Sequence, residues 1–398
     1  MSHVEEHLVA EQSNAPLGRK TENPIATKPL RVLHLATGNI FGGVESFLLT
    51  LARSAKLEPL MTPEFAVCFP GRFRDELTAT DNPVHDLGPV RVSRPWTVWR
   101  ARRRLHAVLR ANRPDRVVVH GTWGRAVFGP VVRRQGIPLV FYIHGPITDD
   151  SLIDRWAASV PVDAIIANSD HTLRDCNRFF SGVPQSVCRC PVEPPPAEHR
   201  DRIETRRTLG TPTTRIVIIS VGRLERWKGH RVLIEALAEL GHASEWECWI
   251  VGGSTRPEEQ AYVGELRSLA TASGNTDRIK FLGHRSDIND LLQAADMFCQ
   301  PNVSPEPLGL VFVEALYAGL CVVTSNFGGG AEIVTPECGV LTPPGNVESL
   351  RDALATVIAD SAFRRSATTA GPIRAAELCD PLKQICRLHE ALVQVHGG

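Results

Sequence analysis

Two stretches of this sequence carry ionisable side chains at spacings that chemistry could use. Ser220-Val221-Gly222-Arg223-Leu224-Glu225-Arg226-Trp227-Lys228-Gly229 follows an apolar strand-like run and leads into a helical pattern at 229–240. Arg223 and Lys228 would then stand beside a helix N-terminus, where two fixed cations can neutralise a diphosphate without a metal. Arginine outnumbers lysine 38 to 6 in this chain, which makes a lysine at 228 informative. A solvated surface pair is the plain alternative. The second stretch, Ser304-Pro305-Glu306-Pro307-Leu308-Gly309-Leu310-Val311-Phe312-Val313-Glu314, sets two carboxylates on either side of a helix start expected near Gly309. At ~1.5 Å rise per residue they stand roughly 12 Å apart at most. A glycosidase pair needs ~5–9.5 Å. The wider spacing suits two grips on one elongated ligand, with the free N–H groups of residues 308–311 between them for phosphate. Hydroxyls at both ends and a diphosphate in the middle describe a nucleotide sugar.

His120 and His144 each close an apolar run and precede a glycine (VVVHG, YIHG). In open α/β sheets that is the end where ligands bind, although a lone histidine is otherwise a satisfied structural residue. Glycine-rich turns follow two other runs, at Thr37–Glu45 (TGNIFGGVE) and Ser325–Glu332 (SNFGGGAE). Each reads equally as a close approach to a ligand or as a simple turn.

The elements that must hold these residues alternate in type. Short apolar runs at 30–36, 64–69, 116–120, 138–144 and 163–167 are separated by amphipathic stretches, and the pattern resumes at 215–221, 247–252, 279–283, 296–300, 320–325 and 338–341. Such alternation predicts parallel sheets covered by helices on both faces. Residues 97–112 form a helix with Val98, Ala101, Leu105, Val108 and Leu109 on one stripe, and the tail repeats the spacing with Leu382, Ile385, Leu388, Leu392 and Val393. The Pro-rich, charged stretch after Cys190 is the best linker. The expected layout is a disordered leader (1–29), a first Rossmann-like domain (30–190), a linker (191–213), a second Rossmann-like domain (214–372) and a C-terminal helix (373–398), with the chemistry in the cleft between the domains.

Composition and missing motifs narrow the function classes. The 398 residues balance 44 basic against 44 acidic side chains, which argues against whole-molecule attraction to nucleic acid. No apolar run reaches the length of a membrane span. The leader has no signal-peptide core, and ten scattered cysteines without C-x-x-C suit a reducing cytoplasm. G-x-G-x-x-G after the first run, the P-loop, H-E-x-x-H, G-x-S-x-G and Asp-x-Asp are all absent.

Gly-Arg-Leu-x-x-x-Lys-Gly at 222–229 and Glu-x7-Glu at 306–314 resemble the retaining glycosyltransferases of family 4, which have the GT-B fold. FGGVE (41–45), the two HG pairs, Ala167-Asn168-Ser169 and GGGAEIV (328–334) match in the same order, so the resemblance runs from about 30 to 395. It implies that Arg223 and Lys228 hold the diphosphate, Glu306 contacts the donor sugar, Glu314 the ribose, and His144 stands beside the transferred sugar. Gly42 and Gly43 would close over the phosphates, Leu308, Gly309 and Leu310 would line the donor site, and His120, Asn168 and Ser169 would face the acceptor. The last helix would cross back to the first, acceptor-binding domain. Arg189-Cys190-Pro191-Val192-Glu193 replaces the family's usual Asn-Gly turn, and the bulky Trp227 precedes Lys228.

The expected activity is therefore metal-independent transfer, with retention, of a sugar from a nucleotide-diphosphate donor to a sugar or lipid-linked acceptor, with no cofactor and no nucleic-acid partner. The setting would be cell-envelope polysaccharide, glycolipid or secondary glycoconjugate synthesis. A GT-B sugar-nucleotide epimerase and a catalytically silent sugar-nucleotide-binding partner are the rivals. Residues 91–116 are arginine-rich, with Trp96 and Trp99 at the amino end. Weak peripheral contact with an anionic membrane face and an ordinary surface helix are both open to that segment. The apolar stripe favours the second, because it must already face the core.

Overall fold

A computed structural model describes residues 28–37, 41–147, 151–177, 179–196, 198, 200–240, 245–254 and 256–396. The leader at 1–29 lies almost wholly outside the described residues, as do Gly38, Asn39 and Ile40 of the first glycine-rich turn.

Two parallel sheets organise the chain. The first is built from β1 (Leu30–Ala36), β2 (Met61–Val67), β3 (Val84–Asp86), β4 (Arg116–His120), β5 (Leu139–Ile143), β6 (Ala164–Ala167) and β7 (Gln185–Val187), in the order β3-β2-β1-β4-β5-β6-β7. The second contains β8 (Ile216–Val221), β9 (Trp246–Val251), β10 (Ile279–Gly283), β11 (Met297–Gln300), β12 (Cys321–Ser325) and β13 (Gly339–Thr342), in the order β10-β9-β8-β11-β12-β13. The central strands are buried on both faces, which is why they read as unbroken apolar runs. β3 and β7 escape the sequence reading because they are three-residue strands at the sheet edges and only partly buried.

Each sheet reverses its winding once, between β1 and β4 and between β8 and β11. Crevices outside the carboxyl ends of strands at such switch points are where doubly wound sheets bind ligands. The two switch points face one cleft.

The segment read as a linker contains a helix, Arg202–Thr208, capped by the Asp201 side chain and packed on the helix Ile288–Ala294 of the second domain. Arg206 is buried there, donating to Ala294 O and pairing with Asp296 at 2.6 Å. The crossover at the C-terminus comes at Asp380 rather than at 373. The helix Ser361–Cys379 packs on the second domain, and Asp380 then caps a new helix, Pro381–Val393, with Pro381 at its first position. That last helix lies on the first domain, where Arg116 Nε donates to Leu392 O at 3.1 Å. Ile385, Leu388 and Leu392 of the expected stripe are buried, whereas Leu382 and Val393 are exposed. One apolar cluster runs through Cys188, Cys190, Val192 and this helix into both domains.

Candidate functional site

The cleft has a volume of about 630 Å³ and takes its walls from both domains. Gly42 precedes the helix Gly43–Arg53, and its N–H donates to Glu45 Oε2 at 3.0 Å. A Cβ on Gly43 would stand 3.6 Å from the Leu310 side chain, so this turn runs along the second domain.

On the opposite wall, β8 ends at Val221 and the chain makes a short 3-10 turn, Arg226–Lys228. Gly229 closes the turn with φ 75°, pressed so closely on the Pro301 carbonyl that a Cβ would overlap it. That contact orients Lys228 into the cleft. Its ammonium sits 4.1 Å above the Trp227 ring and 2.5 Å from Glu306 Oε2, with both side chains only 12–13% exposed. Trp227, which departs from the expected pattern, thus becomes part of the lysine's seat, and its own Nε1–H is held by Glu225 at 3.0 Å. Arg223 is half exposed and pairs with Glu225 at 3.1 Å. It can swing onto a ligand, whereas Lys228 is pre-positioned.

Glu306 lies in a loop held on several sides. Asn302 Nδ2 donates to Oε2 at 3.2 Å, and the Asn302 amide is itself fixed by Gln300 at 3.0 Å. Beneath the loop, Gly329 N–H donates to Glu306 O at 2.7 Å. A Cβ on Gly328 or Gly329 would overlap the backbone of Glu306 or Leu308. The Gly328–Gly330 run therefore serves close approach of protein to protein rather than to a ligand. Gly309 adopts φ 91° at the start of the helix Leu310–Tyr317, and the N–H groups at that start are aimed into the cleft. Glu314, one turn further, is partly buried and lines the same cleft. Among the described residues its carboxylate has no hydrogen bond or ion pair, and burial pushes it above the usual glutamate value.

Two of the residues expected on the acceptor side are placed otherwise. Ser169 is fully buried: its hydroxyl caps Thr172 N and donates to Pro307 O at 2.5 Å, joining the first domain to the Glu306 loop. His120 is buried with both ring nitrogens engaged by other histidines. Asn168 does line the cleft, with Nδ2 donating to His144 O at 3.2 Å. His144 lines it too. Glu332 of the second domain completes the inter-domain clasp by accepting from the N–H groups of Asp170 and His171 and from Arg189.

Sequence reasoning missed Arg72 and Arg285, two further cations of the cleft. Arg285 follows the carboxyl end of β10, the same positional signal that singled out Arg223. Arg72 stacks on Phe41 at 4.2 Å and has no such signal.

The family model for group 1 glycosyl transferases matches residues 201–374, and that for glycosyltransferase family 4 matches residues 41–194. The chain belongs to the family 4 glycosyltransferases. A Corynebacterium glutamicum GDP-mannose-dependent monoacylated alpha-(1-6)-phosphatidylinositol monomannoside mannosyltransferase is 33% identical over 184 residues, 44% of this chain and 46% of that protein. The Rhizobium meliloti lipopolysaccharide core biosynthesis mannosyltransferase LpsB is 26% identical over 58% of this chain and 67% of its own length. The chain thus spans about half to two thirds of the curated relatives it matches. Among solved structures, Anabaena HepE in complex with UDP superposes with a TM-score of 0.78 at 25% identity, covering 92% of this chain and 100% of that one. WaaG, a glycosyltransferase involved in lipopolysaccharide biosynthesis, shares the fold at 18% identity, with a TM-score of 0.68 over 92% of this chain and all of its own. The fold of this family 4 chain is GT-B.

Away from the cleft, Trp96 and Trp99 are 64% and 63% exposed at the start of the helix Pro95–Asn112, while Val98, Ala101, Leu105 and Leu109 are buried against the first sheet. A groove of about 700 Å³ opens beside them, rimmed by Arg102, Arg103 and Arg134. Among the described residues no helix is long and apolar enough to cross a membrane.

Proposed function

We propose that this chain transfers a sugar from a nucleotide-diphosphate donor to an acceptor hydroxyl, with retention of anomeric configuration and without a metal ion. The observation that carries this reading is the convergence of three grips in one cleft: the Lys228–Glu306 pair, the open N-terminus of Leu310–Tyr317, and the Glu314 carboxylate. Lys228, Arg223 and the helix N–H groups supply positive charge where a leaving diphosphate would develop its negative charge. In this reading Glu306 would take the sugar and Glu314 the ribose hydroxyls. The acceptor would enter from the first domain and attack on the face that the nucleotide leaves. Relatives named for phosphatidylinositol mannoside and lipopolysaccharide core synthesis support a glycolipid or polysaccharide acceptor.

Thermal-shift screening of UDP-, GDP- and ADP-sugars tests the donor. A ligand at 100-fold its Kd adds about 2.7 kcal/mol of stability, a clear rise in Tm. The stabilising donor should release its nucleotide only when acceptor is supplied, in excess EDTA, and the product should keep the donor's configuration. No shift with any nucleotide sugar, or an inverted product, would overturn the assignment.

Glu314→Gln should raise the donor KM about tenfold and leave kcat nearly unchanged, because ribose contacts exist in both ground and transition states. The same substitution should raise Tm at neutral pH. The Glu314 carboxyl titrates above its unfolded value, so its ionisation opposes folding at pH above the ordinary glutamate range. Below about pH 4 both forms are neutral and the gain should vanish. A loss of Tm at pH 7 would show that Glu314 is stabilised by contacts rather than held for a ligand.

The Trp96/Trp99 face is proposed to give weak, salt-sensitive binding to anionic vesicles, at about 1 kcal/mol per basic residue near the surface. Arg102 donates to Val127 O at 2.6 Å and is unsuitable for substitution. Arg103→Glu with Trp99→Ala should abolish co-sedimentation at low salt without changing Tm. Equal partition of the native chain onto neutral and anionic vesicles would remove the membrane from the reading.

A further inference from the structure

Three histidines form a continuous chain that ends in the wall of the cleft. His34 in β1, His120 at the end of β4 and His144 just past β5 come from adjacent strands of the first sheet. His34 Nδ1 lies 3.1 Å from His120 Nε2, and His120 Nδ1 lies 2.8 Å from His144 Nε2. The remaining nitrogen of His144, Nδ1, faces the Cys190 thiol at 3.8 Å. Tyr142 stacks on the His144 ring at 4.4 Å, Phe47 tilts against it at 5.4 Å, and Phe65 stacks on His34 at 5.6 Å. The Tyr142 hydroxyl is spent on Cys188 O. Burial pulls the pKa of His34 and of His144 down to about 3, and that of His120 well below its usual value, so all three rings are neutral at physiological pH.

A neutral imidazole has one N–H and one lone pair, and each contact in the chain needs one of each. Protonating His34 on Nδ1 therefore forces His120 and then His144 onto Nδ1, and protonating it on Nε2 forces both onto Nε2. No mixed arrangement avoids an N–H pointed at an N–H or a lone pair at a lone pair. The two states differ at the buried end. Among the described residues His34 Nε2 has no partner. In the second state it is a buried donor without an acceptor, whereas in the first it is only an unused lone pair, the less costly defect.

We infer that His34 and His120 are positioning residues that lock His144 in its Nδ1–H tautomer, so that His144 offers the cleft a hydrogen-bond donor and not a base. A thiol is a weak acceptor, and the N–H is thus available to a better one. Within the nucleotide-sugar reading, on which this rests, that acceptor is a hydroxyl oxygen of the donor sugar. Neither nitrogen of His144 is then free to remove a proton from the acceptor.

Long-range 1H–15N correlation on the full chain labelled with 15N-histidine tests this directly, with His144 assigned by its loss in His144→Gln. The expected result near pH 7 is Nδ1–H for His144; Nε2–H or an imidazolium there overturns the proposal. His120→Asn places an amide N–H where His120 Nδ1 stood, and should keep the tautomer and kcat within about threefold of native. His120→Leu removes the donor to His144 Nε2. It should mix the His144 tautomers and lower kcat about tenfold, the worth of one hydrogen bond, with donor KM nearly unchanged. Native tautomer and native kcat in His120→Leu would refute the lock. The tautomer is read without turnover, so an inactive chain with His144 on Nδ1 would sink the proposed activity and leave the lock standing.

Discussion

Lys228→Ala is expected to lower kcat by about 100-fold or more, a loss of roughly 2.7 kcal/mol of transition-state stabilisation. The ammonium is the best pre-positioned cation of the cleft, seated on Trp227 and aimed by a turn that Gly229 closes against Pro301. Arg223 cannot replace it, because it already serves as the second cation of the clamp and its half-exposed guanidinium is not pre-positioned. The fold should persist, since Lys228 lines an open cleft and its apolar neighbours are undisturbed; an unchanged melting curve would verify this. Turnover within a fewfold of native would rule out the diphosphate clamp.

Glu306→Gln should be about as damaging, and its combination with Lys228→Ala should not be multiplicative. Each side chain is the other's counter-charge at 2.5 Å. Among the described residues, removing Lys228 alone leaves Glu306 with only Asn302 as donor, and removing the Glu306 charge alone leaves the ammonium over Trp227 without a paired anion. Each single variant therefore disables both members, and residues that act as a unit show strong coupling in a double-mutant cycle. A double variant near the weaker single variant is the expected result. Losses that multiply fully would show that Lys228 and Glu306 act separately, and would break the proposed geometry of sugar and diphosphate.

Much of the site was legible because its signals are local. The distance from the end of β8 to Lys228 and from Glu306 to Glu314 is set by a few peptide units, so residue type and spacing alone bring those groups to one side of a strand or helix end. The paired GT-B sheets were legible for the same kind of reason: a parallel strand buried on both faces must be apolar along its whole length. His34 was not legible. In LRVLHLA it is one of two polar residues in an apolar run, and only the histidines of the neighbouring strands, 86 and 110 residues further along, reveal a chain of imidazoles. Ser169 and His120 were misplaced, and the Gly328–Gly330 run was left open, for a related cause. A small or polar residue after a strand looks the same whether it faces a ligand or another segment of protein, and here Pro307 O, the flanking histidines and the Glu306 backbone occupy those places.

What the sequence determined by itself is therefore what short-range stereochemistry dictates: two α/β domains, the strand ends that carry Arg223, Lys228 and His144, and the helix start between Glu306 and Glu314. Tertiary structure alone decided which of these face one another. Lys228 meets Glu306 across 78 residues, Glu332 of the second domain caps a helix of the first, and the last helix leaves one domain at Asp380 to bury Ile385, Leu388 and Leu392 where the domains meet. Contacts of that kind depend on how whole sheets and helices pack their apolar faces, a property of the assembled chain that no window of neighbouring residues encodes.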